Sequence, residues 1–221
     1  MRRVALFARS PDAGPVKTRL SPAMPGSAAA VLHAGMLSDA LSSLGAASAD
    51  HRTIYWASSA PELPALGGAI ERRRQVSGNL GVRLVTAFSE LLRSQEDRAA
   101  IFGADCPALT AASLTAALDA IESSDLALAP SRDGGFTIIA MRRPVPELFA
   151  DIPWSSSQVF ATTRARAHSL GLEVKALPPL DEVDTPDDVC RLLAWVLTEP
   201  ESRAPSTRTA LRELRLLPDR L

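Results

Sequence analysis

The sequence predicts an α/β protein, one domain whose mixed, mostly parallel sheet carries helices on both faces. Three observations carry this. The apolar run over residues 99–102 is short, is bounded by turn-forming residues, and reads as a buried strand ending in Gly103. Leu80, Leu84, Phe88 and Leu91 recur at helical spacing, so an amphipathic helix precedes that strand. Residues 126–129 and 136–141 are two further apolar runs separated by a turn at Asp133-Gly134-Gly135, which adds an antiparallel neighbour to a parallel sheet.

Taken in order, residues 3–8 form a first strand and residues 9–25 a long loop; loops of that length inside a domain are usually functional. A helix capped by Ser27 runs to about Leu44, where Gly45 stops it, with Val31, Leu37, Leu41 and Leu44 on its core face. His33 and Met36 in this helix read as surface or packing residues. Strands follow over residues 52–57 and, more weakly, 69–76, then the helix from Leu80 and the strand at 99–102. Thr110 caps the next helix through Leu114, Leu118 and Ile121. Residues 157–170 form a helix ended by Gly171, and residues 173–177 a strand. Thr185, Pro186 and Asp188 then spell a helix start: hydroxyl at the cap, proline in the first turn, acid three residues on. The domain is expected to span residues 1–198, followed by a tail over 199–221 with a short helix near 211–217.

Bulk properties narrow the function. A net charge of -1 with no basic block beyond Arg72 to Arg74 gives no reason to expect nucleic acid as a partner. No stretch has the length of a membrane span, and the apolar start is too short for a signal sequence, so a cytoplasmic protein is expected. Cys106 and Cys190 are too few for a metal cage or a disulfide scaffold and are expected to be reduced, buried thiols. The sequence lacks a G-x-S-x-G elbow, and His33, His51 and His168 are dispersed, so a covalent hydrolase is not indicated. Oligomeric state is not legible.

The loop after the first strand, Pro11 to Leu20, brings Gly14, Lys17, Thr18 and Arg19 together. Glycine allows backbone N–H groups near a phosphate, lysine supplies a point charge and arginine a two-pronged fork. The spacing is not that of a Walker loop, and an ordinary basic surface loop is the competing reading. Asp105 lies just past the carboxyl end of a strand, where open α/β sheets bind ligands, although alone it also reads as a turn or cap residue. Asp184, within LDEVDT, is a second acid of this kind. The two could hold Mg2+ or Mn2+, hard cations that use one or two carboxylates beside substrate phosphates. Asp181, Glu182, Asp187 and Asp188 crowd the second position, and spacing does not choose among them. Asp133-Gly134-Gly135 could approach a ligand or merely turn the chain, and Trp154 could line a ligand edge or pack.

In this order the segments FARSPDAGPVKTRL, QVSGNLGVRL, GADCPAL, DGGF, DIPWSSSQV and EVDTPDDV resemble the glycosyltransferase-like bacterial family DUF2064 over residues 4–193. That family is similar to nucleotide-diphospho-sugar transferases of the GT-A fold and, more distantly, to phospholactate and molybdenum cofactor guanylyltransferases. The resemblance implies a Rossmann-like three-layer α/β/α sandwich binding a nucleotide or nucleotide sugar at the carboxyl edge of its sheet. It implies catalytic roles for Lys17, Arg19 and Asp105 and metal ligation by Asp105 and Asp184. The implied substrate contacts are Gly14, Thr18, Asn79, Asp133, Gly134, Gly135 and Trp154. Three positions depart from the pattern: Asn79 stands where aspartate is usual, Ala104 where threonine is usual, and Phe136 where tyrosine is common. The expected activity is therefore transfer from a nucleotide-activated substrate, with nucleotidyl transfer slightly preferred because the basic loop suits a leaving pyrophosphate. Glycosyl transfer is the alternative, and the departures motivate a third, a nucleotide-binding module without turnover.

Overall fold

The computed structural model describes residues 1–11, 16–20, 23–57 and 69–218. Its strands are β1 (Arg2–Ala8), β2 (His51–Trp56), β3 (Ile70–Arg74), β4 (Arg98–Gly103), β5 (Leu126–Pro130), β6 (Phe136–Met141) and β7 (Val174–Ala176). The helices are α1 (Gly26–Ala46), α2 (Leu80–Leu91), α3 (Ala111–Ser123), α4 (Val159–Ser169), α5 (Pro186–Thr198) and α6 (Pro205–Glu213). One sheet holds all seven strands in the order β3-β2-β1-β4-β6-β5-β7. Only β6 is reversed, pairing antiparallel with β4 and β5, while the other ladders are parallel.

Alternation along β1 explains the layers: Val4, Leu6 and Ala8 face α1 and α3, whereas Ala5 and Phe7 face α2. Leu37, Leu41 and Leu44 of α1 join Leu114, Leu118 and Ile121 of α3 over one face. Leu84, Phe88 and Leu91 of α2, with Phe149 and Ala167, cover the other. A third apolar cluster joins Leu20, Leu32 and Met36 to Val189, Leu192 and Val196 of α5 and Leu211 of α6. The α/β/α sandwich expected from the sequence is the observed fold. Among the described residues, no helix is long and apolar enough to cross a membrane.

Local expectations fare unevenly. Thr110 and Thr185 cap α3 and α5 as expected, each through a reciprocal capping box. In contrast, α1 starts after Pro25 with no side-chain cap and runs through Gly45 to Ala46, because its apolar face packs along its whole length. The last helix starts at Pro205, several residues before the expected 211–217. Its cap comes from far away: the Asp39 carboxylate accepts from the Ser206 and Thr207 backbone N–H groups at 2.9 and 2.8 Å and from the Thr207 hydroxyl at 2.7 Å. Both cysteines are free, but Cys190 is exposed on α5, correcting the expectation that both are buried.

Candidate functional site

The sheet has its topological switch point at β1, whose two neighbours are β2 and β4 and whose following loop therefore diverges from the loop after β4. A crevice at the carboxyl ends of the strands results. Lys17 enters it from the loop after β1, with a left-handed backbone (φ 52) that turns its side chain inward. That side chain is only 5% exposed, and its ammonium lies 2.9 Å from Asp105 Oδ1 and 2.6 Å from Asp184 Oδ1. Asp105 follows β4 and Asp184 precedes α5. The Val183 N–H donates to the Asp105 carbonyl at 2.9 Å, tying the two acidic loops together. Arg19, on a 3-10 turn over Thr18–Leu20, brings Nη1 to 4.0 Å from Asp184 Oδ2. With Arg9, Thr18 and His33 these residues line a cavity of about 250 Å3.

The sequence reads His33 as a surface or packing residue, and the structure buries it against the crevice. Its buried ring sets Nε2 3.0 Å from the Arg9 carbonyl, which can only accept, and Nδ1 3.5 Å from Asp105 Oδ1. Burial alone would raise the Asp105 carboxyl, but the Lys17 ammonium and His33 outweigh it and hold the group well below the usual carboxylate range. Burial would likewise lower Lys17, yet Asp105 and Asp184 together raise it. Both groups are therefore charged at neutral pH.

The crowded acids of the 181–188 segment separate by partner. Asp181 pairs with Arg132, whose Nε and Nη2 donate to one oxygen at 3.2 and 3.1 Å. Asp188 is engaged by the α5 cap and accepts from the backbone N–H groups of Asp184 and Thr185 at 3.1 and 2.8 Å. Asp184 alone turns to Lys17. Glu182, one of the acids the sequence left open, lies over the end of β4. Burial and the neighbouring charges of Asp105, Asp184 and Asp133 push its carboxyl up from 4.5 to about 8. Cys106 is a protonated thiol, pushed to about 12 by burial and Glu182. No local pattern marks His33 for the site or sets Glu182 apart from the neighbouring acids, since both acquire their places through contacts distant in sequence.

The remaining candidates scatter. Gly14 lies outside the described residues. Asn79 caps α2, accepting from the Val82 N–H at 3.0 Å. Asp133 faces a second cavity beside Asp184 but accepts from the Ser131 hydroxyl and, at 3.0 Å, from the Gly135 N–H, bracing its own turn. Gly134 has φ 87, and a Cβ there would lie 2.0 Å from the Ser157 carbonyl oxygen. Trp154 packs between Phe136 and Phe149 and over Gly81, away from the Lys17 cavity.

The fold has counterparts among known structures. A protein of Desulfovibrio desulfuricans G20 inferred to be a nucleotide-diphospho-sugar transferase superposes with a TM-score of 0.86 at 27% identity, over 97% of this chain and 95% of its own. A CMP:2-keto-3-deoxy-manno-octonic acid synthetase complexed with CTP matches with a TM-score of 0.54 at 14% identity, over 90% of this chain and 99% of its own. A Methanothermobacter nucleotidyl transferase does so with a TM-score of 0.54 at 12% identity, over 89% and 98%. At those identities the last two share the fold. Among curated proteins no sequence matches. A family profile described as an uncharacterized protein conserved in bacteria, DUF2064, matches residues 30–156, and with the sandwich and its crevice in place the chain belongs to that family.

Proposed function

We propose that the chain is a transferase acting on a nucleotide-activated substrate, and that it moves a nucleotidyl group from a nucleoside triphosphate to a phosphorylated acceptor with Mg2+ or Mn2+. One observation carries this reading: the Lys17 ammonium is bracketed by Asp105 and Asp184 at the switch point of the sheet. The similarity of fold to enzymes that handle activated nucleotides agrees with it.

Among the described residues no three His, Cys, Asp or Glu side chains converge as a preformed metal cage. The donor set nevertheless fits a hard divalent cation completed by phosphate oxygens and water. Asp105 Oδ1 and Asp184 Oδ1 both lie within 2.9 Å of one nitrogen, so the two carboxylates already converge on a single cationic position. Asp105 and Asp184 would hold the ion, which when bound supplies positive charge to phosphate oxygens. With an ion held there, Lys17 would turn from the carboxylates to the phosphates it is placed to bind. In the transfer, an acceptor phosphate oxygen attacks the α-phosphorus, the bond to the bridging oxygen breaks, and pyrophosphate leaves. Lys17 and Arg19 neutralise the charge that collects on the leaving group. His33 holds Asp105 against the first loop through Arg9.

Glycosyl transfer from a nucleotide sugar is the second reading, favoured by the name of the Desulfovibrio relative. A thermal-shift panel of triphosphates and nucleotide sugars, with and without Mg2+, separates the two. The expected result is Mg2+-dependent stabilisation by a triphosphate, abolished by Asp105→Ala. Stabilisation by nucleotide sugars and by no triphosphate would overturn the preference. Nucleotide binding indifferent to Asp105→Ala, without product for any acceptor, would instead favour a module lacking turnover.

A further inference from the structure

Three cavities adjoin along the carboxyl edge of the sheet. The Lys17 cavity shares Arg19 and Asp184 with a second of about 270 Å3, which shares Arg132, Glu182, Asp188 and Arg191 with a third of about 410 Å3. The third lies between α5, the loop after β4 and the strap joining β7 to α5, and its character is graded. Most of its charged side chains stand on the wall it shares with the second cavity, with Asp181, held by Arg132, and Ser131 beside them, whereas Pro107, Ala108, Leu180, Val183, Leu192 and Trp195 make up most of the remainder.

We infer that this third cavity binds the body of the acceptor, and that the acceptor is a phosphate monoester of an uncharged, largely apolar group, an alkyl, prenyl or aryl phosphate rather than a sugar phosphate. The identification as acceptor rests on the proposed nucleotidyl transfer. The chemistry of the walls decides the class. Hydroxyls of a sugar placed against leucine, valine, proline and the tryptophan ring would lose water without gaining partners, whereas an apolar body gains by burial there. The anionic end belongs on the shared wall. Arg132 spends Nε and Nη2 on one oxygen of Asp181, and Arg191 pairs with Asp188; both guanidiniums are well exposed, so a phosphate can recruit these forks. From there a phosphate oxygen looks across the second cavity toward Asp184.

The pocket is held in shape from behind. Arg203 lies over the Trp195 ring, 5.8 Å from its centroid, and donates to the Ala108 carbonyl at 2.9 Å, so one side chain joins the aromatic wall to the loop after β4. The Leu180 N–H donates to the Pro130 carbonyl at 3.0 Å, fastening the strap to β5. Arg132 stands on a turn braced by Asp133. A preformed cavity of this size and lining is what a small ligand site requires.

Calorimetry on the full chain with phenyl phosphate, hexyl phosphate, glycerol 1-phosphate, glucose 1-phosphate and inorganic phosphate tests the assignment. Phenyl or hexyl phosphate is expected to bind about tenfold more tightly than glycerol or glucose phosphate. Trp195→Ala should erase that preference while leaving stabilisation by nucleotide unchanged. Ala108→Leu, which narrows the same cavity without loosening Arg203, gives a second test should the tryptophan variant fold poorly. Equal or weaker binding of the apolar esters, or a preference surviving both substitutions, overturns the inference. Apolar esters that bind where no triphosphate does would sink the proposed reaction and leave the pocket standing. Triphosphate binding with no preference among esters would do the reverse.

Discussion

Lys17 does two jobs that compete. Its ammonium neutralises Asp105 and Asp184, yet phosphate binding and metal entry both require it to leave them. Lys17→Met should therefore lower stability without metal by about 3 kcal/mol, since two facing carboxylates lose their buried partner. It should also cut turnover by about a hundredfold or more. Added Mn2+ should raise the melting temperature of the variant more than that of the parent; an equal rise in both would argue against a shared carboxylate site. Glu182 gives a prediction in pH. Its carboxyl titrates near 4.5 when the chain is unfolded and at about 8 when folded, so the folded state holds the extra proton between those values. By linkage, stability is full below the lower value and declines as pH rises through about 8. Glu182→Gln, melted in EDTA, should match the parent near pH 5 and exceed it near pH 9. A parallel loss in both would show that Glu182 is not the group responsible. Lys17 and Asp105 stood out as candidates in the sequence because each sits in a loop after a strand, where charge without core packing is conspicuous, whereas Asp184 was set apart from its acidic neighbours by the family resemblance alone. His33 did not stand out: on a helix, a histidine flanked by apolar residues looks like packing, and only the return of the loop after β4 brings Asp105 against it.

At the scale of the element, the caps and turns that shape the site act over a few residues and leave signatures a reader of sequence can use. The Thr185–Asp188 box fixes where α5 begins and so where Asp184 points. Thr185→Ala should cost about 1 kcal/mol and weaken metal binding by displacing the strap. The turn at Gly134 was legible as a turn, but its reason was not. With φ 87 and the Ser157 carbonyl oxygen 2.0 Å from where a Cβ would stand, the glycine lets the turn meet the chain entering α4. The Phe160 N–H donates to the Gly134 carbonyl at 2.7 Å and completes the joint. Gly134→Ala should destabilise by about 2–4 kcal/mol in chemical denaturation, and Gly135→Ala, with normal φ and a nearest contact of 3.1 Å, by clearly less. Equal costs would mean that loss of backbone freedom, rather than the clash, sets the penalty.

For the whole molecule, the strand order was beyond the sequence although the strands themselves were not. Periodicity reports which residues face a core, and the insertion of β6 between β4 and β5 depends on ladder partners that no local window contains. The same limit explains the tail, whose composition after residue 199 suggested a loose segment. In the structure α6 completes the cluster that backs α1 and α5, with Leu211 fully buried beside Leu32 and Met36. Gly35 is what lets it approach: a Cβ there would stand 2.8 Å from the Ser206 carbonyl oxygen. Asp39, itself buried, donates nothing and accepts three hydrogen bonds from the first turn of α6. Asp39→Ala should therefore cost about 3 kcal/mol, as three N–H or O–H donors lose a charged partner. A chain ending at Thr198 should lose more, because it also uncovers the apolar face of α1. Since α1 carries His33 and packs against the turn bearing Arg19, the truncated chain should bind triphosphate more weakly as well as melt earlier. If instead truncation left both the melting temperature and triphosphate binding unchanged, residues beyond 198 would be a separable appendage, and the fold that positions the site would end at α5.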